Sequence, residues 1–420
     1  MQVAALKQLV IGILIGIVIG SGVLYGLASA EIISIMPSGV VKKLPKEIPI
    51  GVLLPLQGPL STYGNKWKYA VQMAFEDVNN YVKLLGYDIT FKPLIEDTQV
   101  NPELALTAVK NLYSKGVKVI IGPAASSEVK AIASTVNSYK IVVISPSSTA
   151  PDLAIPNDFI FRLVIIDAIQ GRAIAKLILK HNITKVVVLY RKDDWGQGLF
   201  DAFKENFESL GGTVVGIPFD PKAEEFSAEV RQAADALQNI GTGGSGVLLI
   251  SFEDDGVSVL NTAKDIEILG QVMWFGCDGT AFSGKIPSQV GDFVIRVGGL
   301  PSTIFYPQKS VKTDEFRQRY LNEVGEEIDS YGLNIYDCVW VAALSILEAG
   351  EYDGEVIKNV LPEVASRYFG VSGWTLLDEA GDRIGGGDYI IVKIVQEGSG
   401  LKWIEAGTYI IAKDIIEFRE

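Results

Sequence analysis

The chain is poor in the residues from which most catalytic and metal centres are built. Its 420 residues include one histidine, two cysteines and four methionines. Cys277 and Cys338 lie far apart in no metal-ligand spacing, which excludes a disulfide scaffold and a zinc site made from cysteine pairs. They read as two buried thiols. A serine or cysteine triad would have to use His181, and no nucleophile elbow accompanies it. Positive charge is also scarce: 37 Lys and Arg stand against 50 Asp and Glu. No basic cluster is long enough to track phosphates, so nucleic acid is not an expected partner. The glycine-rich stretch Gly241–Gly246 precedes a strand instead of following one, so it fails as a dinucleotide loop. The expectation is a protein that is not an enzyme and carries no cofactor or metal.

What the chain does have begins at its amino terminus. Leu9 to Ala28 is uncharged, almost wholly apolar and long enough to cross a bilayer as a helix. Ala28-Ser29-Ala30 matches a small-x-small cleavage site. Residues 1–30 therefore read as a signal peptide or a membrane anchor, and 31–45, with Pro37 and Gly39, as a linker. Either reading places the remainder outside the cytoplasm.

From Ile48 onward apolar strands alternate with amphipathic helices, which predicts an α/β fold with parallel sheets in two groups. Two hydroxyl-rich segments follow β-branched runs: Gly122-Pro123-Ala124-Ala125-Ser126-Ser127 and Ser145-Pro146-Ser147-Ser148-Thr149-Ala150-Pro151. Each reads as the turn at the carboxyl end of a buried strand, where doubly wound sheets bind ligands. Ser126 or Ser127 is expected at the N-cap of a helix running to about Tyr139, a place that favours a carboxylate. Tyr63, Trp195 and Asp278 follow other strands and reach the same rim. A carboxylate such as Asp278 suits an ammonium group. Gly298-Gly299 and Gly370–Gly373 read as hinge crossings, and Tyr389–Ile411 as a hairpin turning at Glu397–Gly400.

Taken in order, Leu56-Gln57-Gly58-Pro59, the two hydroxyl-rich segments, Asp167 with Gln170-Gly171, and Asp194-Trp195-Gly196-Gln197-Gly198 resemble the leucine/isoleucine/valine-binding family of extracytoplasmic solute-binding proteins. The resemblance implies a type I periplasmic-binding-protein fold, two doubly wound lobes joined by three crossings. Lobe 1 would be 46–166 plus 298–370, and lobe 2 would be 167–297 plus 371–420. It implies that Ser126 and Thr149 hold a ligand carboxylate, with Ser127 alongside, and that Ser147, Thr149 and Asp278 take the ammonium. Tyr63, Trp195 and the Phe252–Glu253 turn would line the side-chain pocket, with Asp167 in the ligand-binding set. The implied function is delivery of an amino acid or related small molecule to an ABC permease, or ligand sensing by an anchored ectodomain. Glu253-Asp254-Asp255 stands where relatives often carry aromatics, which leaves polar, cationic and amide ligands open.

Overall fold

Ile48, Ile50 and Val52 to Leu54 are all buried in strand β1 (Glu47–Leu54), as a run of apolar residues must be inside a parallel sheet. The computed structural model describes residues 44–419. The expected N-terminal helix and all but the end of the linker lie outside them. After β1 come α1 (Ser61–Leu84), β2 (Thr90–Asp97), α2 (Pro102–Ser114), β3 (Val119–Ile121), α3 (Ser126–Tyr139), β4 (Val142–Ser145) and β5 (Ile160–Arg162). These strands form a parallel sheet in the order β2-β1-β3-β4-β5.

The second group repeats the pattern. It contains α4 (Asp167–Lys180), β6 (Lys185–Arg191), α5 (Asp194–Ser209), β7 (Thr213–Phe219), α6 (Ser227–Ile240), β8 (Ser245–Ile250), α7 (Glu253–Ala263) and β9 (Met273–Phe275). Its parallel sheet is ordered β7-β6-β8-β9. In each sheet the winding reverses beside its first strand, between β1 and β3 and between β6 and β8. That switch opens a crevice at the carboxyl ends. Gly64 and Gly196 let the helices following β1 and β6 start hard against the strand end. A Cβ at either would lie 2.1 Å from the carbonyl oxygen of Pro55 or Arg191.

Downstream lie α8 (Lys285–Arg296), β10 (Ser302–Pro307), α9 (Val311–Val324), α10 (Ser330–Ala349), α11 (Gly354–Arg367), the short pair β11 (Phe369–Gly370) and β12 (Gly373–Trp374), and β13 (Gly387–Glu397), β14 (Gly400–Ile410) and β15 (Ile415–Phe418). β13 and β14 are the expected hairpin, and they belong to an antiparallel sheet ordered β10-β13-β14-β15. Proline lies in the first turn of α8 and, as Pro362, inside α11. Helix α10 is long and apolar enough to span a bilayer, yet it is buried along most of its length, with α1 and α11 against it, as a core helix is. Cys277 and Cys338 are both free and buried, and burial raises both thiols well above their usual pKa.

β10 pairs with β13 up to Pro307 opposite Gly387, and the Gln308 N–H donates to the Gly386 carbonyl at 2.9 Å. β10 also bridges to Gly276 through Ser302, so it lies with the second sheet. The chain therefore passes side by side with itself at 307–308 and 386–387. The glycines read as hinges do other work. Gly298 and Gly299, at φ 101° and 83°, close the end of α8, where the Gly299 N–H bonds to the Val294 carbonyl. Gly370 and Gly373 face each other across β11 and β12.

Candidate functional site

The loops at the strand ends line a narrow cavity. Leu60, Tyr63 and Trp67 contribute one wall, from α1 and the turn before it. Ala124, Ala125, Ser126 and Ser147 come from the turns after β3 and β4, and Trp195, Phe252, Asp278 and Gly279 from the second sheet. Tyr331, at the start of α10, completes the lining. Gly122 sets one turn: its φ is 88°, and a Cβ there would meet the Leu53 carbonyl at 2.3 Å.

Six expected residues thus meet at one cavity: Tyr63, Ser126, Ser147, Trp195, Phe252 and Asp278. Thr149 and Asp167 are buried but do not line it, and Ser127 is half-buried beside Ser126. Neither Ser126 nor Ser127 is the N-cap of α3; Ala125 is. Ala125 has no capping side chain; the helix start is closed by Glu128, the third residue of α3, whose Oε2 accepts the Ala125 N–H at 3.0 Å.

That exchange frees the Ser126 hydroxyl for other work. Its oxygen accepts from the Ser148 hydroxyl at 3.0 Å and from the Ala150 N–H at 3.2 Å. With both lone pairs engaged, the remaining role of the hydroxyl is to donate, which suits an anion. Ser147 is committed differently, its hydroxyl donating to the Ala124 carbonyl at 2.9 Å. Behind these turns Arg162 donates to both oxygens of Asp382 at 2.5 Å and to the carbonyls of Ser148 and Ala150 at 3.3 and 2.6 Å.

On the opposite side, Asp278 accepts from Tyr331 at 2.6 Å and from Gln170 at 3.0 Å. Burial raises its pKa; those two hydrogen bonds act against the rise by favouring the carboxylate. Asp167 is fully buried, and neither of its oxygens has a hydrogen-bond partner. Burial, then the nearby Asp278 charge, holds its pKa well above the usual carboxylate range. The Thr149 hydroxyl and Arg162 oppose that shift, although Thr149 lies outside hydrogen-bonding geometry.

The remaining walls are aromatic. Trp195 and Phe252 stack at 4.5 Å, and the Arg191 guanidinium covers the Phe252 ring at 4.1 Å. Trp67 meets Tyr331 edge-on at 6.3 Å and donates its indole N–H to Asp329, the N-cap of α10. Tyr63 donates to the Ala281 carbonyl at 2.9 Å, joining α1 to the turn after β9.

The acidic triplet is not part of this lining. Glu253 is fully buried and accepts from the hydroxyls of Thr62 and Ser283 at 2.6 and 2.7 Å. Asp255 pairs with Arg191 at 2.8 Å and accepts the Phe252 N–H, while Asp254 reaches outward to Lys285 at 2.6 Å. The placement expected for Glu253, in the wall of the side-chain pocket, is therefore corrected. Its carboxylate is consumed by three donors, the third being the Lys285 N–H. Leu60, Trp67, Gly279 and Tyr331 line the cavity without having been expected. Tyr331 stands in the first turn of α10, far in sequence from the strand ends that carry the other lining residues.

His181 ends α4 between the rings of Phe275 and Phe418, and burial lowers its pKa. Among the described residues no cluster of three His, Cys, Asp or Glu could hold a metal.

Residues 47–399 match the periplasmic binding protein family. An uncharacterized protein of Methanocaldococcus jannaschii is 34% identical over 370 residues, covering 84% of this chain and 88% of that protein. A leucine-, isoleucine-, valine-, threonine- and alanine-binding protein of Pseudomonas aeruginosa is 25% identical over 344 residues, covering 80% and 87%. Among solved structures, the leucine-binding protein LivK of Thermotoga maritima superposes with a TM-score of 0.69 at 22% identity, over 85% of this chain and 97% of that one. LivJ of Streptococcus pneumoniae, in complex with isoleucine, gives 0.68 at 20%, over 86% and 100%. These likenesses match the arrangement of two switch-point sheets around one cleft. The chain belongs to the periplasmic binding protein family, with the type I fold of the Leu/Ile/Val-binding proteins and a solute-binding role.

Proposed function

We propose that the cleft binds an amino acid with an apolar side chain outside the cytoplasm and presents it to an ABC permease. The observation that carries this reading is the polarity of the cavity's two ends. Ser126 is left as a pure donor at the first residue of α3, where free backbone N–H groups also favour a carboxylate. Asp278 offers a buried carboxylate across the cavity, and the walls between are Trp67, Trp195, Phe252 and Tyr331. An α-carboxylate and α-ammonium fit the two ends, with Thr149 and the Ser147 carbonyl assisting and the side chain among the rings. The removal of Glu253, Asp254 and Asp255 from the cavity speaks against a cationic ligand. The lobes are taken as 46–166 with 308–386, and 167–307 with 387–420. Residues 1–30 serve as signal or anchor.

Calorimetry on the soluble part tests the reading, with leucine, valine, alanine, lysine and glutamate as ligands. The apolar amino acids should bind and raise the melting temperature, while lysine and glutamate should not. Preferential binding of lysine, or no binding of any amino acid, overturns it.

A further inference from the structure

We propose that the end of the first sheet remote from the cleft is a lipid-docking surface built from Tyr81, Leu84, Leu85 and Tyr87. The proposal rests on the reading of residues 1–30 as a membrane segment. Single exposed leucines are ordinary on a protein surface, but contiguous ones are not. Here Leu84 is 87% exposed, Leu85 53%, Tyr87 47% and Tyr81 37%, all within seven consecutive residues at the end of α1. The patch continues into an open groove lined by Leu344, Leu347, Val364 and Tyr368 together with Glu348 and Arg367.

The position of the incoming chain says what covers this face. The Thr90 N–H donates to the Lys46 carbonyl at 2.7 Å, and Lys46 pairs with Asp88 at 2.8 Å. The polypeptide arriving from residue 43 therefore joins the sheet next to Tyr87. Residues 29–43 separate it from the apolar run Leu9–Ala28, and fifteen residues span at most about 50 Å. A bilayer holding that run is within reach of the patch. Such confinement gives an effective concentration on the order of millimolar, so a small apolar contact suffices. Tyrosine beside leucine, with Lys83 and the Lys46–Asp88 ion pair at the border, is the composition of a membrane-interface site. The net charge of −13 favours an apolar contact over attraction to anionic headgroups. Strand β1 leads away from the patch for eight residues, or about 25 Å. Docked on this end, the molecule keeps its cleft clear of the lipid.

The test uses the full chain with phosphatidylcholine vesicles. Leu84→Cys carries an environment-sensitive NBD label, and Glu224→Cys, on an exposed loop of the second sheet, is the control; Cys277 and Cys338 are buried. Sedimentation with vesicles first reports the membrane segment. The label at 84 should then shift to the blue and be quenched by spin-labelled lipid, while the label at 224 should do neither. Co-sedimentation with identical behaviour at both sites overturns the docking surface and leaves the membrane segment standing. A blue shift without quenching by lipid assigns the patch to a protein partner and also overturns it. Failure to sediment overturns the membrane reading and the docking surface with it.

Discussion

The Thr62 hydroxyl donates to Glu253 at 2.6 Å, joining the first turn of α1 to the first turn of α7 across the cleft. With the Tyr63–Ala281 bond to the turn after β9 and the Lys130–Asp194 ion pair between α3 and α5, it ties the elements of the two sheets together. A hydrogen bond to a carboxylate contributes about 1.5–3 kcal/mol. In the proposed reading, opening of the cleft breaks this bond, so it acts on the opening equilibrium. Thr62→Val should weaken ligand binding by roughly tenfold and shift the ligand-free protein toward a more extended form in small-angle scattering. Unchanged affinity and scattering would remove this contact from the closing mechanism.

Asp278 and its two donors are a positioned unit. Asp278→Asn should lower affinity for an apolar amino acid by a hundredfold or more, on the order of 3 kcal/mol for a buried charge-assisted contact. Tyr331→Phe leaves the carboxylate in place and should lose about tenfold. Calorimetry separates the two, and equal losses would mean that Tyr331 touches the ligand itself instead of orienting Asp278.

Arg162 and Asp382 form a bidentate pair that is almost inaccessible to solvent and supports the carbonyls of Ser148 and Ala150. Removing one partner strands a buried charge, so Asp382→Ala should cost about 3–5 kcal/mol of stability. Denaturant unfolding provides the measurement. A loss below about 1 kcal/mol would place that pair among the weak surface type.

Glu128 is fully buried, and desolvation raises its pKa from 4.5 to about 7. Below about pH 4.5 it is protonated folded or unfolded and costs nothing. Between there and pH 7 the unfolded chain ionises while the folded one keeps its proton, so stability falls as pH rises. Above pH 7 the full cost of roughly 3 kcal/mol is present. Glu128→Gln removes that dependence. Melting curves of the variant and the parent should coincide near pH 4 and separate, with the variant higher, by pH 8. Parallel curves across that range would count against the buried proton.

The strand–helix alternation was legible because parallel strands buried on both faces are continuous apolar runs, as in β1 and β8. The cavity residues were legible where they stand directly after such strands: Ser126, Ser147, Trp195, Phe252 and Asp278. What escaped comes from tertiary competition for partners. No local pattern tells that Glu253 will be claimed by Thr62, 191 residues away, or that Glu128 will take the cap that Ser126 was expected to hold. Tyr331 reaches the cavity from a helix distant in sequence, and Gly298 and Gly370 look like hinges because a helix end and a tight turn need the same residue.

The first turn of α7 carries three unlike duties in four residues. Phe252 faces the cavity, Glu253 fastens the opposite helix, and Asp255 holds the Arg191 that covers Phe252. Taste and grip are thus housed in one rigid turn. A substitution that reshapes the wall for a new ligand also disturbs how firmly the cleft shuts, so in this chain altered selectivity and altered affinity should arrive together.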